Sequence, residues 1–333
     1  MRTPVLLIVL LVVSLSAPAR AQTPNPALSS TARRAAQLPR LRSLLVSQQG
    51  KRVFEYYARG VAPTRLANIK SASKSVISAL VGIAIDRHLI ADVREPIATY
   101  FPELRRASDE RRTITVEDLL TMRSGLETTS NRNYGAWVTS PNWVRYVLTR
   151  PLVTIPGTTM QYSTGSTHLL SATLAKVSGR TTRAFAQQVL GVPLGITIAP
   201  WPADPQGVHF GGNDMLLTPQ QMLAFGELYL NRGVRGGRQV VPAAWVETSC
   251  VPRTTSRFDA GREYGYGWWI DEVGGHTACY AWGYGGQYIL VFEDLQTVVV
   301  ATSSTTAGDD RRDYRRSLLE FIGTDLLPAL SPP

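Results

Sequence analysis

Ser71-Ala72-Ser73-Lys74 is the only Ser-x-x-Lys in the chain, and it opens a stretch whose apolar residues recur at helical spacing. Residues three apart lie on one face of a helix, so an amine at 74 can reach a hydroxyl at 71. A lysine that is desolvated, or crowded by a neighbouring cation such as Lys70, loses its proton more readily. The neutral amine can then accept the proton of a serine nucleophile. A helix N-terminus also favours the negative charge that develops on Ser71 and on an acyl oxygen beside it. The chemistry permitted is acyl transfer through a serine ester. The same four residues also describe an N-capping serine followed by a solvated lysine, and the motif by itself does not separate the two.

Other common chemistries lack their patterns. There is no His-Glu-x-x-His, Cys-x-x-Cys, Walker loop or Gly-x-Ser-x-Gly. His88, His168, His209 and His276 lack ligand spacing and are assigned to packing or surface. No metal and no organic cofactor is implied.

The elements that must position the serine follow from hydrophobic period. Leu41 to Ser47 and Val53 to Ala58 alternate as two strands around a Gln49-Gly50 turn. Ser71 to Arg87 predicts a helix with Val76, Leu80, Ile83 and Ala84 on one face. From Leu89 to Gly195 the patterns are helical, including Thr115 to Met122 and His168 to Val177. Pro219 to Leu230 is a helix with Pro at its start and Asn231-Arg232-Gly233 as its stop. The period then shifts towards two, giving strands at Tyr266 to Ile270, Tyr288 to Phe292 and Thr297 to Ala301, before a closing helix from Arg311 to Phe321. Strands at both ends and helices between them predict an α/β sheet domain spanning about 39–330. Its sheet lobe is formed by 39–70 and 235–330, and its helical lobe by 71–234.

Composition agrees with a globular chain: 333 residues, 44% apolar and 18% charged, which excludes a disordered tail, a coiled coil and a collagen-like repeat. Met1-Arg2, the apolar run Val5 to Leu15 and then Ala19-Arg20-Ala21 predict a secretory signal peptide over 1–21, the run being shorter than the ~20 residues a spanning helix needs. Export to the periplasm or beyond is expected, with 22–38 as a flexible lead-in. Loss of Arg2 and Arg20 would take the formal charge from +10 to +8. The arginines are scattered rather than striped, which argues against nucleic acid and fits an anionic envelope surface better. Cys250 and Cys279 permit one disulfide, which their spacing does not decide.

Several strings together carry a family resemblance. Ser71 to Asp86 and Ile114-Thr115-Val116-Glu117-Asp118-Leu119-Leu120-Thr121-Met122-Arg123-Ser124-Gly125-Leu126 resemble the serine β-lactamase superfamily. The second string is similar to the I-T-x-x-D-L-L-x-x-x-S-G-L segment of class C β-lactamase-like hydrolases, which include family VIII carboxylesterases, D-aminopeptidases and 6-aminohexanoate-dimer hydrolases. Pro156-Gly157, Tyr162-Ser163-Thr164-Gly165, Gly211-Gly212-Asn213-Asp214 with Thr218-Pro219, and Tyr266-Gly267-Trp268 extend the resemblance over most of 40–325.

The resemblance implies a β-lactamase/transpeptidase-like fold with an antiparallel sheet, flanking helices and a mainly helical second lobe. It implies Ser71 as nucleophile, Lys74 and Tyr162 as acid and base, and Tyr162 in particular as general base with a lowered pKa. Thr164 stands where the family's Tyr-x-Asn has Asn, and would contact substrate by its hydroxyl. A literal Tyr-x-Asn at Tyr229-Leu230-Asn231 falls at a helix end, where the tyrosine is assigned to packing. The family's Lys-Thr-Gly strand is matched by Ala281-Trp282-Gly283, followed by Tyr284-Gly285-Gly286-Gln287, so the backbone amides of Ser71 and Tyr284 would form an oxyanion hole, with Gly283 or Gly285 as alternative donors. Trp282, Gly283 and Gly285 would line the substrate cleft. The motif's cation is absent, as is the Asn, which argues against efficient β-lactam turnover and towards small-molecule esters or amides. A true β-lactamase or DD-peptidase, and a catalytically silent envelope binding protein, remain the alternatives.

Overall fold

The computed structural model describes residues 26–107, 109–256, 261–308 and 310–330. The signal-peptide expectation for 1–21 lies outside them. Ten strands matter here: β1 (Leu41–Gln48), β2 (Lys51–Tyr57), β3 (Ala67–Asn68), β4 (Leu216–Leu217), β5 (Thr254–Thr255), β6 (Glu263–Tyr264), β7 (Trp269–Val273), β8 (His276–Gly283), β9 (Gln287–Phe292) and β10 (Thr297–Ser303). The helices are α1 (Pro26–Ala35), α2 (Ser73–Asp86), α3 (Val116–Leu120), α4 (Thr164–Ser178), α5 (Pro219–Leu230), α6 (Ala243–Ser249) and α7 (Arg311–Phe321).

Eight strands form one antiparallel sheet in the order β2-β1-β10-β9-β8-β7-β6-β5, so the N-terminal hairpin is stitched to the last strand. Successive side chains of a strand point to opposite faces, and both faces are covered. Val298 and Val300 join one core with Leu45, Ile289 and the helices, while Val299 and Ala301 join a second core with Leu44, Tyr314, Leu318 and Phe321. That double burial explains why β10 reads as an unbroken apolar run rather than an alternating one.

α5 packs across β10, β9 and β1. Its start is fixed by Thr218 and Gln221, which form a capping box around Pro219. Although α5 falls within 71–234, it therefore belongs to the layer on the sheet. α2 lies one layer further along, packed on α4 and against β8.

Two sequence expectations are corrected. The lead-in 22–38 contains the helix α1: Ala35 is fully buried, Leu28 and Ala32 pack on the second core, and Arg34 pairs with Asp325. Its three apolar contacts come from small or widely spaced residues, a weak periodic signal. The strand expected over Tyr266 to Ile270 begins only at Trp269, because Gly267 takes a φ of +77° and turns the chain onto α2, where Ser75 Oγ donates to its carbonyl at 2.6 Å. A further strand, β8, runs eight residues from His276 to Gly283, its alternation obscured by the small residues Thr277 and Ala278. Cys250 and Cys279 form a disulfide that ties the end of α6 to β8.

Candidate active site

Ser71 sits in a single 3-10 turn, Lys70–Ala72, immediately before α2. The N-cap of α2 is Ala72, without a side-chain capping bond, so Ser71 does not spend its hydroxyl on capping. Lys74, in the first turn of α2, is 2% exposed. Its Nζ lies 3.0 Å from Ser71 Oγ and donates to the Gly212 carbonyl at 2.7 Å, with Thr164 Oγ1 at 3.4 Å. Burial lowers its pKa to about 7, because an ammonium loses its hydration there. The expected crowding by Lys70 is not the cause: Lys70 Nζ turns to Asp214, 2.9 Å away, on the same segment as Gly212.

Tyr162 closes the other side. Lys74 Nζ stands 5.1 Å from its ring centroid, and its hydroxyl lies beside Ser71. The ring stacks on Trp269 at 5.6 Å and meets Tyr264 edge-on at 6.3 Å. Withdrawal from water pushes the phenol up to about 12, opposed by the neighbouring Ser71 hydroxyl. This corrects the expectation of a lowered tyrosine pKa: the lysine and not the phenol loses its proton more easily here.

The string from Ile114 to Leu126 acts as the support for this tyrosine. Thr115 and Asp118 form a capping box that starts α3. After α3, Met122 turns with a φ of +61°, its carbonyl accepting from Gln161 N–H at 2.7 Å and its sulfur from Ser163 N–H at 3.5 Å. Thr128 Oγ1 donates to the Tyr162 carbonyl at 2.7 Å. The residues flanking Tyr162 are thus pinned on both sides.

Thr164 is 5% exposed, and its hydroxyl is shared between Ser130 Oγ at 3.0 Å and the Lys74 amine. It stands with the amine rather than in the open cleft, which revises its expected contact with substrate. Ser130 and Gly212 were not assigned as site residues from sequence. Gly212 lay in a recognised string, but a backbone carbonyl leaves no residue-type signal.

Gly283 ends β8 against the Ser71 turn: a Cβ there would come within 2.0 Å of the Ile69 carbonyl oxygen. Only the residue without a side chain lets this strand approach the turn so closely. Tyr284 follows, 39% exposed, with the Arg311 guanidinium 4.7 Å over its ring and donating to its hydroxyl. Gly285 and Gly286 complete the turn, closed by Gly286 N–H to the Gly283 carbonyl at 3.2 Å. Trp282 packs edge-on to Trp269 at 6.0 Å, with Arg315 at 4.9 Å and Arg262 at 5.8 Å from its ring. The motif lacks its own cation, yet two arginines from elsewhere in the chain reach its central residue.

Tyr229 is buried against Trp268 at 4.3 Å and Phe225 at 5.3 Å, the packing role expected of it. His168 is buried beside Asp204 at 3.0 Å, and His276 pairs with Asp294 at 2.6 Å.

Comparison with known proteins gives the family. The β-lactamase family model matches residues 40–322. A 6-aminohexanoate-dimer hydrolase of Paenarthrobacter ureafaciens is 26% identical over 299 residues, covering 81% of this chain and 74% of that protein. The fold is shared with EstCE1, a hydrolase with promiscuous acyltransferase activity, at a TM-score of 0.72 and 15% identity over 89% of this chain and 99% of the other. It is also shared with a class C β-lactamase from Rhodobacter sphaeroides, at a TM-score of 0.65 and 16% identity over 88% and 98% of the two chains. With an antiparallel sheet and helices arranged as in these structures, and a family match running from β1 to the end of α7, the chain belongs to the β-lactamase family of serine hydrolase fold.

Proposed function

We propose that the protein is an exported serine hydrolase that cleaves small ester or amide substrates through an acyl-Ser71 intermediate. The observation that carries this reading is the buried Lys74 amine 3.0 Å from the Ser71 hydroxyl, with a pKa near neutrality.

Ser71 Oγ attacks the substrate carbonyl as its proton passes to the neutral Lys74 amine, either directly or through the Tyr162 hydroxyl. The carbonyl oxygen becomes an oxyanion, held by the backbone amides of Ser71 and Tyr284. Collapse of the tetrahedral intermediate breaks the bond to the alcohol or amine, and the proton taken from Ser71 is delivered to that leaving group by way of Tyr162. A water molecule then attacks the acyl-serine, giving its proton to Lys74, and release of the acid returns the proton to Ser71. Because the phenol is held protonated, Tyr162 is a proton donor and relay, and Lys74 is the base. Trp282, only partly buried and next to Gly283, offers an aromatic face for acyl or aryl groups. The disulfide and the N-terminal segment support placement in an oxidising, exported compartment.

Incubating the protein with a fluorophosphonate and measuring intact mass tests this. One adduct, mapped to the peptide containing Ser71 and lost in Ser71→Ala, is expected. No adduct at saturating probe would reduce the protein to a binding module. Turnover of an aryl ester, an amide and nitrocefin in parallel sorts the substrate class, with the ester or amide expected to exceed the lactam.

A further inference from the structure

We propose that Trp201 is a positioning residue for the nucleophile and its base: its indole N–H fixes the turn whose Gly212 carbonyl orients the Lys74 amine. This inference rests on the hydrolase reading of Ser71 and Lys74.

A neutral primary amine has two N–H groups and one lone pair, and only the lone pair can accept the serine proton. At Lys74 the Gly212 carbonyl takes one N–H at 2.7 Å and Thr164 Oγ1 lies near at 3.4 Å, leaving the lone pair for Ser71 at 3.0 Å. The direction of the lone pair therefore depends on where the Gly212 carbonyl is held.

The segment that holds it is built around Trp201. This tryptophan is buried, and its Nε1–H is shared between the carbonyls of Phe210 at 3.0 Å and Asn213 at 3.1 Å, the two residues that bracket Gly211-Gly212. Phe210 N–H returns to the Pro202 carbonyl at 2.8 Å, so the turn closes on the backbone next to Trp201 itself. Asp204 anchors the rest of the segment, accepting from the amides of Gln206 and Val208, each at 2.9 Å, and from His168 of α4 at 3.0 Å. On its other side the turn is pressed against α4, where a Cβ at Gly211 would lie 2.4 Å from the Thr167 carbonyl oxygen. At Gly212 a Cβ would stand 3.1 Å from Lys74 Nζ and 2.8 Å from Thr164 Cγ2, so the turn meets the amine without an intervening side chain.

The same turn continues into Asp214, which binds Lys70 at 2.9 Å and Asn68 at 2.7 Å in the approach to Ser71. One indole N–H thus fixes a backbone turn that touches both the base and the segment bearing the nucleophile. Loss of that donor leaves two buried carbonyls without it, and small displacements of catalytic groups reduce rate steeply.

The test replaces Trp201 in the full chain by its benzothienyl isostere, which puts sulfur where the N–H was and keeps the ring shape, alongside Trp201→Phe. Fluorophosphonate labelling of Ser71 is followed as a function of pH, with melting temperature measured on the same samples. The expected result is labelling at least about tenfold slower for the isostere, with the pH midpoint displaced and the melting temperature held close to wild type. An isostere labelled at the wild-type rate and with the wild-type pH profile overturns the proposal, whatever its melting temperature or the behaviour of Trp201→Phe. If the wild-type protein itself is not labelled at Ser71, it is the hydrolase reading that fails.

Discussion

Gly283 and Ile69 meet through backbone alone: the space a Cβ would fill at 283 ends 2.0 Å from the Ile69 carbonyl oxygen. Ile69 in turn receives the next stage of the turn, its carbonyl accepting from Ala72 N–H at 3.1 Å. The strand that carries the third motif and the turn that carries Ser71 are therefore set against each other by the absence of one side chain. Gly283→Ala has to push the two apart. Since an oxyanion hole acts only when its donors are held at hydrogen-bond distance, we expect acylation to fall by about two orders of magnitude. Labelling kinetics with a fluorophosphonate, set beside a thermal melt, check this; a folded Gly283→Ala protein with wild-type labelling would contradict the pairing of these segments in the site.

The Lys74 amine gives two linked expectations. Its conjugate acid cannot accept a proton, so acylation should rise with pH about a midpoint near 7 and be lost below it. Stability follows the opposite need. With a folded-state pKa near 7 and an ordinary value of 10.5, the unfolded chain binds more protons between those limits. Stability should therefore increase as pH rises from 7 towards 10.5, and below 7 the full cost of burying an ammonium is present. Lys74→Met should abolish acylation and yet melt higher than wild type at pH 6, with the difference shrinking in alkaline solution. A lower melting temperature across the whole range would show that the amine stabilises the fold.

Tyr162 carries a different signature. A phenol held near 12 stays protonated throughout the working range, so the rate should reach a plateau above neutrality, without a descending limb from this residue before about pH 10. Tyr162→Phe keeps the stack on Trp269 but removes the hydroxyl beside Ser71. We expect acylation to fall by about 10²–10⁴, the range typical of a lost proton-transfer group, with little change in melting temperature. A bell-shaped profile falling near pH 8 that flattens in Tyr162→Phe would assign the phenol a depressed pKa and make it the base.

What the sequence revealed about this site depended on whether a residue acts through its side chain. Ser71, Lys74 and Tyr162 were visible because their types and strings are specific, and they come together as a group. α5 and α7 match the sequence reading to the residue, α5 because Pro219 and the Asn231-Arg232-Gly233 stop mark its limits. Gly212 was not legible, because it contributes a carbonyl common to every residue. The lowered pKa of Lys74 agrees with the sequence reading, through burial rather than through Lys70, whose amine is diverted to Asp214, 144 positions away. The raised pKa of Tyr162 runs against the sequence reading, because burial of the phenol is set by the tertiary fold and not by its string. Similarly, α1 is organised by contacts with the far C-terminus, such as Thr31 Oγ1 to the Asp325 carbonyl at 3.4 Å, which no local pattern encodes.

The disulfide lies behind this machinery rather than within it. Cys250 ends α6 and Cys279 sits in β8, four residues before Gly283, so the bond fastens the strand of the third motif to a helix that packs on α2. Its two cysteines are 29 residues apart, and closing a loop of that length in the unfolded chain stabilises a fold by about 3–4 kcal/mol in the chain-entropy description. β8 is paired to β7 over His276–Tyr280 and to β9 over Cys279–Gly283, so its path near Gly283 is held by β9 and does not depend on the crosslink. The double variant Cys250→Ser/Cys279→Ser should therefore lose stability of that order in a denaturant melt, while labelling of Ser71 at 25 °C stays within about twofold of wild type, since loss of an unfolded-state constraint leaves native contacts in place. Labelling that falls in parallel with stability would place the crosslink among the groups that hold the active strand in register.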